Sequence, residues 1–422
     1  MTSSVTRRQM LARTGALATT AIVGSSRTAF ASPGIKVESL TVISHQPEYY
    51  CGWPTVARRK NGELLLTYSG GRQFHSCPFG RVEMMRSKDN GQTWSWPRVL
   101  MDGPIDDRDA GVLETSKGSI LVTSFTDWEW EEWFRLGKTP ELYAKSETTK
   151  WEGAPTTESW TPENLKRWQA AADRISPEQR KKELGVYMLR STDGGVTFSA
   201  RYDCLVNSPH GPIQLSDGRL LYAGKRLGSI PEFQNDPAAT PTGDNTFWEN
   251  DKKLGVCEST DDGQTWRWLT EIPAGEGEDP SKYHELHAVE AADGRIIVQF
   301  RNHNHGYRIR QSESTDGGKT WSVPHSTGVH GLPPHLLRLQ DDRLLLTYGY
   351  RIPPEGNRVC ISENHGRDWS KPFDLQHDAT SRDLGYPSSV QLDDGSLITV
   401  WYETLKGSKR AVLRQARWSL ES

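Results

Sequence analysis

The chain has 422 residues and a formal net charge of −3, long enough for several ordinary domains or one large repetitive one. So balanced a charge gives no electrostatic reason to expect nucleic acid or an anionic membrane as a partner. The 16 tryptophans and 38 glycines suit many turns pinned by aromatic pegs, and the five cysteines (Cys51, Cys77, Cys204, Cys257, Cys360) show neither a CxxC pair nor zinc spacing. They read as buried small hydrophobes.

At the N-terminus, Thr6-Arg7-Arg8-Gln9-Met10-Leu11 puts twin arginines ahead of a mildly apolar run from Gly15 to Val23. Ala29-Phe30-Ala31 then offers a small-residue cleavage site before Ser32. This pattern predicts a Tat-type signal peptide over residues 1–31, with the mature protein periplasmic or secreted. The apolar run is too short to span a membrane.

From residue 35 onward two patterns alternate. The first is a short apolar strand, a Gly- or Asp-bearing turn and a strongly apolar strand, over residues 53–69, 109–125, 209–223, 285–300, 333–348 and 386–401. Each meets the strand–turn–strand criterion for a hairpin. The second is the turn Ser87-Lys-Asp-Asn-Gly-Gln-Thr-Trp94, repeated at 191–198, 259–266 and 314–321 and in worn form at 362–369. An Asp that accepts backbone N–H bonds, a Gly that supplies positive φ and an aromatic packed beneath make a tight turn between strands. Five copies indicate a repeat architecture.

Six hairpins, most followed by a further strand pair, predict six four-stranded sheets. Such sheets cannot bury both faces alone, so the expected fold is all-β, a six-bladed β-propeller over residues 35–422. A right-handed β-helix would need shorter and more regular repeats. Two insertions break the period, at about 127–184 and 227–250. In the first, Thr161-Pro162-Glu163 and Ser176-Pro177-Glu178-Gln179 read as helix starts, the second with a capping box. Both insertions are expected over one face of the disc, as lids or as plain excursions.

In a propeller the innermost strands line an axial channel. Here their starts are polar: Asp106-Asp107-Arg108-Asp109, His210, His284-Glu285-Leu286-His287, His335 and Tyr386. Strand ends add Arg72, Arg226, Arg301 and Arg351. Taken singly each suits a solvated turn, whereas together they point to a site on the axis. The spacing of His284 and His287 on a strand does not suit zinc, so no catalytic metal and no cofactor is expected, with a structural Ca²⁺ in a loop left open.

These turns, hairpins and channel positions resemble the exo-sialidase (neuraminidase) superfamily, six-bladed propellers that act as retaining glycosidases. The resemblance implies a glycoside hydrolase acting on an acidic glycan or sialoglycoconjugate. Tyr386, in Gly-Tyr-Pro-Ser-Ser-Val-Gln-Leu, sits where that family has its nucleophile, and Glu285 matches the glutamate that takes the phenol proton. Arg301 and Arg358 match the second and third arginines that hold the sugar carboxylate, a planar fork that lysine would not supply.

Two positions depart from the family. Gly52-Trp53-Pro54 stands where the first arginine is expected, and Gln73-Phe74-His75-Ser76-Cys77-Pro78 carries no carboxylate where the general acid belongs. Asp107 or His75 is the expected proton donor, with Asp107, Arg108 and Asp109 entering from the next blade to restore an acid and a guanidinium. Arg72, Arg108, Asp109, His210, His287 and His335 complete the expected substrate contacts. The channel histidines also fit a propeller lyase or hydrolase acting on uronate polysaccharide, and the two departures fit a glycan-binding propeller without turnover.

Overall fold

The structure, a computed structural model, describes residues 34–75, 77–127, 161–226, 253–304, 306–408 and 410–421. The expected signal segment, most of the first insertion and all of the second lie outside these residues.

Six antiparallel sheets follow one another along the chain. The first holds β2 (Tyr50–Arg58), β3 (Leu64–Arg72), β4 (Arg81–Ser87) and β5 (Arg98–Met101), and the second holds β6 (Asp106–Glu114), β7 (Ile120–Asp127), β8 (Val186–Ser191) and β9 (Tyr202–Asp203). In the third the innermost strand is split into β10 (Val206–Asn207) and β11 (Ile213–Gln214), followed by β12 (Leu220–Arg226), β13 (Leu254–Ser259) and β14 (Arg267–Ile272). The fourth runs β15 (Tyr283–Glu290), β16 (Ile296–Asn302), β17 (Arg308–Ser314) and β18 (His325–His330). The fifth runs β19 (Pro334–Arg338), β20 (Leu344–Tyr350), β21 (Gly356–Ser362) and β22 (Phe373–Gln376). The sixth takes β23 (Leu384–Gln391), β24 (Leu397–Thr404) and β25 (Ala411–Leu420), and is completed by β1 (Ile35–Val42) from the other end of the chain.

The second strand of each sheet opens on an apolar run and is buried along nearly all its length, as in Leu64–Arg72 and Ile120–Asp127, because both of its faces are covered by neighbouring sheets. Burial accordingly falls into six clusters, each shared by two adjacent blades, the last joining the sixth blade to the first. That cyclic arrangement is the six-bladed propeller. On the axis the innermost strands approach so closely that a Cβ on Gly111 would stand 2.5 Å from the backbone nitrogen of Gly211. Only glycine allows this contact.

The repeated turn joins the third strand to the fourth in five blades. At Asp316 the carboxylate accepts from the Ser314 hydroxyl (2.8 Å), the Lys319 and Thr320 N–H groups (3.0 and 2.9 Å) and the Thr320 hydroxyl (2.6 Å), with Gly318 at φ 90°. The sixth blade has no such turn because its outer strand is β1, which explains five copies in six sheets. Both helix starts in the first insertion are formed. Thr161 caps α1 (Pro162–Ala172), and Ser176 with Gln179 makes the capping box of α2 (Pro177–Lys181). All five cysteines are buried and free.

Candidate active site

Innermost strands ordinarily alternate their side chains between the two faces. Four of them break that alternation at a bulge. The register slips between Gly52 and Thr55 in β2, Arg108 and Gly111 in β6, His284 and Leu286 in β15, and Gly385 and Ser388 in β23. At each slip one non-glycine residue is forced into the left-handed region: Trp53 (φ 54°), Asp109 (42°), Glu285 (35°) and Tyr386 (54°). Each such residue costs on the order of 1–3 kcal/mol, and such strain gathers at functional sites. All four side chains line one cavity of about 730 Å³, to which all six blades contribute.

Within it the Tyr386 hydroxyl donates to Glu285 Oε1. Arg301 Nη1 donates to both Glu285 oxygens at 3.0 Å and to the Tyr386 oxygen at 3.4 Å. Burial raises the Tyr386 pKa well above its ordinary value, and the Glu285 charge adds to it, so the resting phenol is neutral. Arg301 Nε donates to His303 Nε2 at 2.6 Å, and burial with the Arg301 charge lowers the His303 pKa to about 3, keeping that imidazole a neutral acceptor. Among the described residues Arg301 Nη2 makes no hydrogen bond.

His75 also lines the cavity, edge-on to Trp53 at 4.9 Å. Its Nδ1 lies 2.9 Å from Asp383 Oδ1, and Asp383 further accepts from the hydroxyls of Tyr50 (2.9 Å) and Tyr402 (3.2 Å). Burial lowers the His75 pKa against the opposing pull of Asp383. Arg108 lies 4.7 Å over the Trp53 ring and pairs with Asp127 at 2.9 Å. The indole thus occupies the position expected of a first arginine, and a guanidinium from the next blade rests upon it.

Tyr386, Glu285, Arg301, Arg108, Asp109 and His75 are therefore gathered as the sequence suggested. Six expected residues are not. Asp107 points to the other side of β6, where its carboxylate accepts the Gly103 N–H, and burial lifts its pKa to about 7. Arg72 is fully buried in a bidentate pair with Asp106 at 2.5 and 2.7 Å, so its fork is already filled. Arg358 lies on the third strand of its blade, 3.5 Å over the Tyr350 ring and 2.7 Å from Asp374, outside the cavity.

His210, His287 and His335 sit further along the axis. Their ring centroids are 4.4–5.4 Å apart, and they line a second cavity of about 740 Å³ with Arg58, Glu114 and Gln391. Each innermost strand enters at the first cavity and leaves at the second, so these imidazoles belong to the opposite half of the channel.

Three basic groups on the first cavity were not among the expected substrate contacts, although Arg351 stood among the strand ends of the channel. Arg351 follows β20 and donates to the Leu384 carbonyl (2.8 Å), with Nη1 making no hydrogen bond among the described residues. Arg382 and Lys225 complete the basic wall. A basic residue just after a second strand, as with Arg301, was the signal for Arg351. Asp383 carries no comparable signal, since its role appears only when blades one and six meet.

A model of the BNR repeat-like domain matches residues 163–399, more than half of the chain. A sialidase of Paraclostridium sordellii is 22% identical over 282 residues, 64% of this chain and 56% of that protein, so the chain spans about half the length of this relative. A protein of unknown function from Dyadobacter fermentans superposes with a TM-score of 0.66 at 22% identity, over 92% of this chain and 100% of its own. The intramolecular trans-sialidase of Ruminococcus gnavus, solved with oseltamivir carboxylate, superposes with a TM-score of 0.58 at 14% identity, over 92% of this chain and 97% of its own. The chain belongs to the BNR repeat-like domain family and is a divergent six-bladed propeller of the sialidase superfamily.

Proposed function

We propose that the protein is an exo-acting glycoside hydrolase that releases a terminal acidic sugar, a divergent sialidase working with retention of configuration. The observation that carries this reading is the Tyr386–Glu285–Arg301 group, in which a neutral phenol already donates its proton in a hydrogen bond to a carboxylate. Tyr386 attacks the anomeric carbon as Glu285 takes its proton. A neutral nucleophile spares the repulsion that a bare carboxylate would meet from an anionic substrate. The open ends of Arg301 and Arg351, with Arg382 and Lys225 nearby, suit a sugar carboxylate. The sialidases related to this chain support the same substrate class, and a twin-arginine leader fits an enzyme that meets glycans outside the cytoplasm.

The reading as a uronate lyase rested on the channel histidines, which line the other cavity. Binding without turnover leaves the strain at Glu285 and Tyr386 without a purpose. The test is release of the fluorophore from a 4-methylumbelliferyl sialoside across about pH 4–8, where carboxylic and imidazole acids operate. Turnover that disappears in Tyr386→Phe, with the product formed first as the retained anomer, is expected. No turnover by the wild-type protein, or full activity in Tyr386→Phe, defeats the proposal.

A further inference from the structure

The cavity holds one carboxyl group that the steps above leave idle. Three acids stand within four residues of β6, and each has a different fate. Asp106 is gripped by Arg72, and Asp107 accepts a backbone N–H on the far side. Asp109, thrown inward by the bulge, is only 6% exposed, and its Oδ1 has no hydrogen-bond partner among the described residues. The acids around it are engaged: Glu285 by Tyr386 and Arg301, Asp127 by Arg108, and Asp383 by His75 and two tyrosines. An unpartnered ionised carboxylate at this depth is far more costly than a protonated one.

We propose that Asp109 is the proton donor of this enzyme, protonating the glycosidic oxygen while Tyr386 attacks the anomeric carbon. This assignment rests on the glycosidase reading above. In the first step the bond from the anomeric carbon to the leaving oxygen breaks and a bond to the Tyr386 oxygen forms. The phenol proton passes to Glu285 and the Asp109 proton to the leaving oxygen. In the second step water adds to the anomeric carbon and gives its proton to Asp109. The bond to Tyr386 breaks, and Glu285 returns the proton to the phenolate. Both carboxyl groups end as they began.

Protonation agrees with the geometry. Burial pushes the Asp109 pKa up to about 7, with Arg108 opposing and the Glu285 charge assisting, so the group carries its proton in mildly acidic solution. His75, the other proton-donor candidate read from the sequence, has a lowered pKa and directs Nδ1 at Asp383, so it holds no spare proton there.

The experiment compares wild type, Asp109→Asn and His75→Asn on two sialosides, a 4-methylumbelliferyl glycoside and 3′-sialyllactose. An aryl leaving group departs without protonation, whereas the sugar alkoxide does not. Asparagine and glycine both tolerate the left-handed region, so Asp109→Gly serves as a second variant should the first fold poorly. Loss of general-acid catalysis costs typically ~10²–10⁴-fold. Asp109→Asn should lose activity in that range on sialyllactose and at least about tenfold less on the aryl substrate. Added azide should restore aryl turnover in Asp109→Gly and yield a glycosyl azide of retained configuration. Equal losses on both substrates, no loss, or a leaving-group-dependent loss in His75→Asn instead would overturn the assignment. A wild type inactive on both substrates would remove the glycosidase reading, and the proton donor with it.

Discussion

One nitrogen of Arg301 lies 3.0 Å from both carboxylate oxygens of Glu285, on strands that are neighbours in the same blade. The glutamate therefore accepts from a phenol and a guanidinium at once. Glu285→Gln removes the proposed base and leaves the half-buried Arg301 beside a neutral amide. The expected result is a fall in kcat of ~10²-fold or more. A pH-independent kcat close to wild type would show that the phenol needs no base.

The carboxylate clamp makes a contrast between two arginines of blade five. Arg351 faces the cavity, whereas Arg358 is committed to Tyr350 and Asp374. Arg351→Lys loses a planar fork at the site and should raise KM about tenfold or more for sialosides, a change of roughly 1.4 kcal/mol in binding. Arg358→Lys should leave KM within a factor of about two. The reverse order in steady-state kinetics would return Arg358 to the clamp.

Arg72 and Asp106 are both essentially buried, at 0% and 2% side-chain exposure, and their pair ties the first blade to the second. Arg72→Met leaves Asp106 without its principal cation at that depth. Breaking such a pair typically costs ~3–5 kcal/mol. Urea unfolding should show a loss of that size, and a change below about 1 kcal/mol would mean that solvent reaches the carboxylate.

The three axial histidines give the protein a stability that depends on pH. Burial lowers the pKa of His287 to about 3 and sends those of His210 and His335 well below the ordinary value, with the neighbouring imidazoles adding to the effect for both. Their folded-state pKa values lie below the unfolded value near 6.5, so the neutral ring is favoured on folding. The associated stability is fully present above about pH 6.5 and drains away as pH falls below it. Between pH 7 and pH 5 His287, whose pKa falls to about 3, should cost on the order of 2 kcal/mol, and His210 and His335 act in the same direction. Asp107 and Asp109, with raised pKa values, pull the other way. The check is urea unfolding at both pH values for wild type and His335→Gln. The variant should lose less between pH 7 and pH 5, and an identical loss would sink the argument.

Much of this was legible in residue order. The hairpins betray themselves by apolar runs such as Leu64-Leu65-Leu66, and the turns by the Asp316, Gly318 and Trp321 pattern. Tyr386, Glu285 and Arg301 were readable because each sits in a local motif at a strand boundary. The choice between Asp107 and Asp109 was not. It hangs on a bulge, and Trp53, Asp109, Glu285 and Tyr386 are none of them the glycine or asparagine that announces positive φ. Arg72 misled because its partner Asp106 lies 34 residues onward, in the next blade. The histidines misled because a strand start does not say how far along the axis a side chain will fall.

The sixth sheet is assembled from both extremities of the described chain, β1 lying against β25 from Ile35 opposite Leu420 to Val42 opposite Arg414. During synthesis β1 must wait, its edge unmatched, until every other blade has been made. Tyr386 lies in that last sheet and Glu285 in the fourth, so the phenol that meets this carboxylate is carried by the sheet whose outer strand comes from the opposite end of the chain. On the proposed function, loss of β1 should therefore lower activity, because Tyr386 would then stand on a sheet lacking its outer strand.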